Sequence, residues 1–147
     1  MIEIKSFDEK SKPTLEEKRE IVDFLYTHLE QFGDKREDIE KAVNYAIKEG
    51  ESFGGFVLRS FEEGEISSVV VVNKTGMNGY IPENILVYIA THNKFRGRGI
   101  GRCMMEQALK RAEGGVALHV EPDNPARRLY ENLGFTNKYL EMRYTKQ

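Results

Sequence analysis

A buried strand that runs into a glycine-rich turn and then into a helix sets the strictest limit on the fold. Residues Asn84–Thr91 are nearly all apolar, which is typical of a strand buried on both faces. The turn Arg96-Gly97-Arg98-Gly99-Ile100-Gly101 follows, and residues Gly99–Glu113 repeat apolar side chains at helical spacing. Val116–Glu121 predicts a further strand. The succession predicts a strand–helix–strand unit within a mixed sheet.

The segment before this unit predicts one strand and two helices. Residues Ile2–Ser6 resemble a short strand. Thr14 and Glu17 have the spacing of a capping box, and apolar residues then recur at helical spacing. Asp34 is predicted to start a second helix, which ends at Gly50.

Two β-rich segments, Phe53–Phe61 and Ile66–Asn73, lie between the helices and the central unit. The short polar stretch that joins them contains glycine, so the pair predicts a hairpin. Lys74–Glu83 holds two glycines, an asparagine and a proline, and it therefore predicts a loop.

The end of the chain predicts a helix and a strand. Asn124 is predicted to cap the helix, and Gly134 stands just past its end. Leu140, Met142 and Tyr144 alternate with polar residues and predict a last strand. The complete prediction is an α/β (α+β) fold with the element order βααβββαβαβ.

Composition narrows the functional classes. A formal charge of −2 over 147 residues argues against a protein that coats nucleic acid. No apolar run has the length of a membrane span, and the N-terminus lacks the apolar stretch of a signal peptide. Cys103 is the single cysteine, so no internal disulfide forms and we expect a cytoplasmic protein.

The glycine-rich turn has the properties of a diphosphate site. Glycines allow the backbone to approach a ligand closely, and the first N–H groups of the following helix have no partner within the helix. The helix dipole adds positive potential, and Arg96, Arg98 and Arg102 add full charges. Three glycines are also compatible with a tight surface turn that binds nothing.

Two other phosphate motifs do not fit. The turn lacks the Gly-Lys-Ser/Thr of a Walker loop. The dinucleotide fingerprint needs a third glycine or alanine, but the two possible registers put Arg102 or Met104 there. Glu121 does follow about twenty residues later, as the ribose-binding acid would. The glycine register nevertheless argues against an NAD-binding or ATP-binding protein.

Two motifs together resemble the GNAT (Gcn5-related N-acetyltransferase) superfamily. Arg96, Gly99 and Gly101 match its signature Arg/Gln-x-x-Gly-x-Gly/Ala. Residues Asn124–Phe135, NPARRLYENLGF, resemble its second motif. The resemblance covers the chain from Ile85 onward. It implies one GNAT domain over residues 1–147, with a mixed, mostly antiparallel central sheet flanked by helices.

The resemblance also implies how acetyl-CoA would be bound, and it implies no metal. Backbone N–H groups of the turn would hold the pyrophosphate, and the strand before the turn would diverge from the next one to admit the pantetheine arm. Asn124, besides its capping role, would contact the same arm. The implied binding residues are Ile89, Ala90, Thr91, Arg96, Gly97, Arg98, Gly99, Ile100, Gly101, Arg102 and Asn124.

Tyr130 is the predicted catalytic acid, because the resemblance implies a tyrosine beside the departing sulfur. A base is also needed, since deprotonating an amine with a pKa near 10.4 costs about 4–5 kcal/mol at pH 7. Family members carry a glutamate where this chain has Ile85. Glu83 is the nearest substitute and is the predicted base. Three further candidates stay open, acting through water: Tyr88, His119 and Glu121.

The predicted function is therefore N-acetyl transfer by direct attack of a primary amine on acetyl-CoA in a ternary complex. The acceptor, a small amine or a peptide, is expected near Tyr26, Phe32 and Tyr80, between the first two helices and the Lys74–Glu83 loop. The alternative is a catalytically weak acyl-CoA sensor, which the isoleucine at position 85 favours. No nucleic-acid or membrane partner is expected, and the protein is a monomer or a homodimer.

Overall fold

A computed structural model describes residues 2–146 of the chain. Across these residues it forms five strands and four α-helices. In chain order the elements are β1 (Glu3–Phe7), α1 (Leu15–His28), α2 (Arg36–Ala46), β2 (Gly55–Glu62), β3 (Glu65–Lys74), β4 (Asn84–Thr91), α3 (Ile100–Arg111), β5 (Val116–Leu118) and α4 (Ala126–Asn132).

The five strands form one sheet in the order β1-β2-β3-β4-β5. Neighbouring strands are antiparallel from β1 to β4, whereas β4 and β5 are parallel. Helices α1 and α2 pack on one face, and α3 and α4 pack on the other. The predicted fold class, a mixed and mostly antiparallel sheet flanked by helices, is confirmed. Within residues 2–146, no helix combines the length and the apolar character that crossing a bilayer requires.

Local sequence signals explain the hairpin and the start of α1. Thr14 accepts a hydrogen bond from the backbone of Glu17, and Glu17 accepts one from the backbone of Thr14, so the predicted capping box is present. Glu63 and Gly64 join β2 to β3 with φ angles of 52° and 80°. Two successive positive φ angles are typical of the tight turn whose twist matches a hairpin.

Helix α2 does not begin as predicted. Its N-cap is Lys35, which makes no side-chain capping bond, and Asp34 lies just outside the helix. The carboxylate of Asp34 instead accepts a hydrogen bond from the Tyr88 hydroxyl on β4, at 2.5 Å. A tertiary contact has therefore replaced the local one that the sequence favours.

The predicted last strand is not formed, because residues 136–146 have no strand in the structure. Its apolar residues are highly exposed: Leu140 by 83%, Met142 by 89% and Tyr144 by 85%. Alternation determines which side chains share a face, but a strand also needs a partner with free backbone groups. β5, the edge strand that precedes this segment in the chain, has only three residues, whereas the sequence predicted a longer strand over Val116–Glu121.

A buried cation depends on the same glutamate that caps α1. The Arg59 side chain on β2 is only 7% exposed, and its guanidinium lies 4.2 Å from the centroid of the Phe61 ring. Its carboxylate partner is Glu17, at 3.4 Å. Hydrogen bonds from the Thr14 backbone and from Lys5 hold the pKa of Glu17 at about 2. The carboxylate of Glu17 thus accepts a backbone hydrogen bond at the start of α1 and also neutralises the buried charge of Arg59.

We expect Glu17→Ala to lower the free energy of unfolding by at least about 2 kcal/mol, because it removes the cap and leaves Arg59 buried without a carboxylate. Glu16→Ala, an exposed change in the same turn, is the control. In the wild type, the contribution of Glu17 is complete above pH 4.5, its ordinary pKa, and is lost as the pH falls through about 2. Urea unfolding at pH 7 and at pH 3 measures both effects. Equal stability of the two variants at pH 7 would contradict this account.

Candidate functional site

The central feature of the site is the part of β4 that has no partner strand on its β5 side. A β-bulge at Val87 interrupts the register of β4, since Tyr88 faces Val71 whereas Leu86 faces Val72. Pairing with β5 ends at Leu86, so no β5 residue pairs with β4 beyond the bulge. The space beside this unpaired edge of β4, past the end of β5, is called the wedge below. It lies where the resemblance stated above implies a slot for an extended ligand.

Backbone groups of β4 line the wedge. The N–H of His92 donates to Ser67 on β3 at 2.8 Å, and the carbonyl of Ala90 accepts from the Ser68 hydroxyl at 2.8 Å. Backbone groups alternate in direction along a strand, so the N–H groups of Ile89 and Thr91 point away from β3. The wedge therefore offers hydrogen-bond donors from two of the three predicted lining residues, while Ala90 faces β3.

The glycine-rich turn follows β4 and presents a run of free N–H groups. Gly97 and Gly99 have φ angles of 80° and 78°, which a residue with a side chain rarely adopts. The first backbone donor of α3 is Cys103, which bonds to the Gly99 carbonyl at 3.1 Å. Within residues 2–146, the N–H groups from Gly97 to Arg102 have no acceptor. This arrangement, at the start of a twelve-residue helix, suits a phosphate-bearing ligand.

The turn, β4 and α4 meet at Gly101. A Cβ atom built at Gly101 would lie 3.7 Å from the Thr91 hydroxyl oxygen and 3.7 Å from a methyl group of Leu129. Both distances are ordinary contacts, and Gly101 has no positive φ angle. Gly101 thus differs from Gly97 and Gly99, because a methyl group fits there without strain.

The three arginines of the turn form surface ion pairs. Arg96, Arg98 and Arg102 have side chains that are about half exposed. Their partners are Glu30 at 2.8 Å, Glu63 at 3.5 Å and Glu106 at 3.6 Å, respectively. Pairs of this kind contribute about 1 kcal/mol or less, so an anion can draw the cations away. Arg96 also donates to the Thr91 carbonyl at 3.3 Å and so helps to shape the turn.

The second motif forms α4 and its flanks. The side chain of Asn124 accepts a hydrogen bond from the backbone of Ala126 at 2.9 Å, the kind of bond that its predicted capping role requires, although α4 begins at Ala126 with Pro125 as its N-cap. Tyr130 is buried, and its ring lies 6.0 Å from that of Phe135. Burial raises the pKa of Tyr130 to about 12, so its hydroxyl is protonated at neutral pH. No hydrogen bond to this hydroxyl is formed by residues 2–146.

Glu83 lies just before β4 and is engaged by the backbone. Its carboxylate accepts a hydrogen bond from Gly115 at 2.6 Å and another from Gly79 at 3.4 Å. The first of these is the main cause that holds the pKa of Glu83 below its ordinary value. These bonds fasten the preceding loop to the start of β5, and they make the carboxylate a weaker base.

Two polar groups on the α1–α2 face of β3 and β4 went unrecognised in the sequence. The first is Asp34, which accepts a hydrogen bond from the part-buried hydroxyl of Tyr88, a residue already considered as a base. The second is Asn73, whose Cα faces that of Ile85 across the sheet. The carboxamide oxygen of Asn73 is buried without a hydrogen bond within residues 2–146. No local pattern signals either group.

The remaining predicted residues are scattered. Tyr26 and Tyr80 are exposed by 53% and 81%, Phe32 is half-buried, and no ring contact joins the three within residues 2–146. His119 and Glu121, which follow β5, are exposed. In the described part of the chain, no three His, Cys, Asp or Glu side chains gather closely enough to hold a metal ion.

Several solved structures share this fold. A transcriptional regulator from Bacillus halodurans C-125 aligns with a TM-score of 0.70 at 18% identity, over 99% of this chain and 100% of its own. A ribosomal-protein-alanine N-acetyltransferase from Brucella melitensis biovar Abortus 2308 gives 0.66 at 15% identity, over 99% of each chain. A GNAT-family acetyltransferase from Streptococcus pneumoniae TIGR4 gives 0.68 at 19% identity, over 100% of this chain and 99% of its own. At these identities the likeness concerns the fold alone.

Comparison of the amino-acid sequence with known proteins and protein families identifies the family of the chain. No curated protein matches the chain significantly. Residues 49–137, however, match the family described as the acetyltransferase (GNAT) domain. This match spans more than half of the chain and contains β2 through α4, with the wedge, the glycine-rich turn and Tyr130. The chain therefore belongs to the GNAT acetyltransferase family.

Proposed function

We propose that this protein transfers an acetyl group from acetyl-CoA to a primary amine, by direct attack within a ternary complex. The observation that carries the proposal is that the free N–H groups from Gly97 to Arg102 adjoin the wedge, since a Cβ atom built at Gly101 would lie 3.7 Å from the Thr91 hydroxyl oxygen. Together they form one elongated site with an anion-binding end and a strand-lined end. Membership of the GNAT family supports acetyl transfer.

The residues present fit acetyl-CoA. The amides of the turn match a pyrophosphate, and the exposed guanidinium groups of Arg98 and Arg102 are near enough in sequence to add charge. The donors of Ile89 and Thr91 match the amide carbonyls of a pantetheine arm. The side-chain nitrogen of Asn124 makes no hydrogen bond within residues 2–146 and is available to the same arm, because the capping bond uses only the oxygen.

The chemistry requires polarisation of the thioester and stabilisation of the departing sulfur. A free backbone N–H in the wedge would donate to the thioester carbonyl as negative charge develops there. The amine nitrogen attacks the carbonyl carbon, the C–N bond forms, and the C–S bond breaks. Tyr130 would donate its proton to the sulfur, since its hydroxyl is protonated at neutral pH and has no other acceptor in the described chain. In this proposal residues 1–147 act as one domain.

The acceptor is proposed as a small amine or a peptide N-terminus. One similar structure carries the name ribosomal-protein-alanine N-acetyltransferase, so a short peptide with an N-terminal alanine is a natural first acceptor to test. Polyamines and free amino acids complete a first panel. Glu83 is retained as a candidate base, but its hydrogen bonds to Gly115 and Gly79 weigh against it.

We expect acetyl-CoA to bind the wild type and to bind Gly99→Ala at least about tenfold more weakly, because alanine at a positive φ angle costs roughly 1–2 kcal/mol and shifts the turn. Gly101→Ala is the matched control and should bind nearly as tightly as the wild type, since its methyl group fits. Isothermal titration calorimetry measures all three proteins, with NAD and ATP as comparison ligands. Absence of acetyl-CoA binding by the folded wild type would end the proposal. Binding without turnover of any amine would favour the sensor.

Tyr130→Phe should lower kcat by about 100-fold while leaving the affinity for acetyl-CoA nearly unchanged, because only proton donation to the sulfur is lost. Tyr144→Phe, a change in an exposed residue, is the control. Thiol release from acetyl-CoA under saturating acceptor measures the rate. If kcat of Tyr130→Phe equals that of the control, Tyr130 serves only to pack against Phe135.

A further inference from the structure

We propose that Asp34 and Tyr88 form the proton-accepting side of the site: Tyr88 contacts the acceptor amine and passes its proton to Asp34. The inference rests on the proposed function. It assigns a role to two residues from distant parts of the chain, joined by one hydrogen bond of 2.5 Å. It also identifies the acceptor as a primary ammonium that enters on the α1–α2 face of β4.

The position of Tyr88 is the first argument. Tyr88 lies on β4 directly after the bulge and directly before Ile89, whose N–H points into the wedge. Its side chain belongs to the core that α1 and α2 cover. The hydroxyl reaches Asp34 in the connection between those two helices. The same residue therefore has its backbone in the strand that lines the wedge and its hydroxyl beside the connection between α1 and α2.

The start of α2 gives the second argument. Aspartate is among the best N-cap residues, yet α2 begins without any side-chain cap while Asp34 stands next to it. Its carboxylate is used by Tyr88 instead. Departures from local sequence preference tend to occur where function imposes another demand. Here the departure brings an exposed carboxylate to the strand that lines the wedge.

The hydrogen-bonding capacity of the phenol gives the third argument. Burial, and then the hydrogen bond to Asp34, raise the pKa of Tyr88 above its ordinary value, so the hydroxyl keeps its proton. Asp38 is the other acidic group that acts on this hydroxyl. The single proton is donated to Asp34, which leaves the oxygen lone pairs as acceptors. Within residues 2–146 no donor occupies them, so an ammonium N–H can.

A second acceptor lies on the same face of the sheet. Asn73 is two residues along β3 from Val71, which faces Tyr88. Alternate residues of a strand share a face, at a separation of about 7 Å. The buried carboxamide oxygen of Asn73 makes no hydrogen bond in the described chain. Such an oxygen is costly to leave unpaired, and a second N–H of the acceptor would satisfy it.

Two protons leave the acceptor nitrogen during the reaction. The acceptor arrives as an ammonium and gives one proton through the Tyr88 hydroxyl to the Asp34 carboxylate. The neutral nitrogen attacks the thioester carbon, and the C–S bond breaks as the C–N bond forms. A second proton leaves the nitrogen for solvent water as the amide forms, while Tyr130 gives its proton to the sulfur and recovers one from water. Asp34 is exposed and returns its proton to water.

The test uses two small acceptors of similar shape, ethylamine and trifluoroethylamine. Ethylamine is an ammonium at pH 7 and needs a base, whereas the fluorines make trifluoroethylamine weakly basic and already neutral. We expect Asp34→Asn to lower kcat/KM for ethylamine by about 100-fold and for trifluoroethylamine by less than about threefold. Tyr88→Phe should show the same selectivity, and Asp34→Glu should restore part of the ethylamine rate. Glu37→Gln, an exposed change in the first turn of α2, is the control.

Acetyl-CoA titration of each variant separates the possible failures. Unchanged affinity in Asp34→Asn establishes that the donor site is intact. An equal loss for both amines would mean that Asp34 only holds the connection before α2, and no loss for either would mean that it has no role. Both results overturn the inference and leave acetyl transfer standing. A wild type that binds acetyl-CoA but acetylates neither amine also overturns it. A wild type that binds no acetyl-CoA removes the proposed function itself.

Discussion

The bulge at Val87 is the constraint on which the site depends. β5 ends at Leu118 opposite Leu86, and the bulge follows directly, so the later residues of β4 keep backbone donors for a ligand. The bulge shifts the register by one residue, so Tyr88 faces α1 and α2 although Leu86, two residues earlier, faces α3. One inserted residue thus directs a phenol to the opposite side of the sheet, next to the point where the edge of the strand becomes free.

The two cores keep this interrupted strand in place. Phe7, Leu25 and Val43 are among the buried residues on one face, and Phe95 and Met104 are among those on the other. Since both faces of β4 are packed, the loss of its hydrogen bonds to β5 does not release it. Phe95, which is fully buried, also anchors the start of the glycine-rich turn, and the guanidinium of Arg98 lies 5.2 Å from the centroid of its ring. The rigidity of the site therefore comes from side-chain packing, while its binding groups come from the backbone.

Much of this arrangement can be predicted from the sequence, because its signals are local. The apolar run Asn84–Thr91 matches β4 at both ends, and the capping box at Thr14 marks the start of α1. The roles proposed for Tyr130 and for the turn come from motif resemblance and stay predictions. The prediction of a last strand was wrong, because alternating apolar residues show which side chains share a face but do not supply a neighbouring strand to pair with. The contact between Asp34 and Tyr88 joins residues 54 positions apart, so the capping preference of aspartate gave the wrong expectation.

The shortness of β5 has a consequence for the native-state dynamics. Three residues pair β5 with β4, and no further strand flanks it within residues 2–146. This side of the wedge is held by fewer backbone bonds than any other strand of the sheet. Segments held by few backbone hydrogen bonds open locally more often than the core. The amide hydrogens of β5 therefore exchange with solvent before those of the core strands. A ligand that contacts both β4 and β5 would replace the backbone bonds that are missing between them. Part of its binding free energy would then be offset by the cost of ordering β5, one wall of the site.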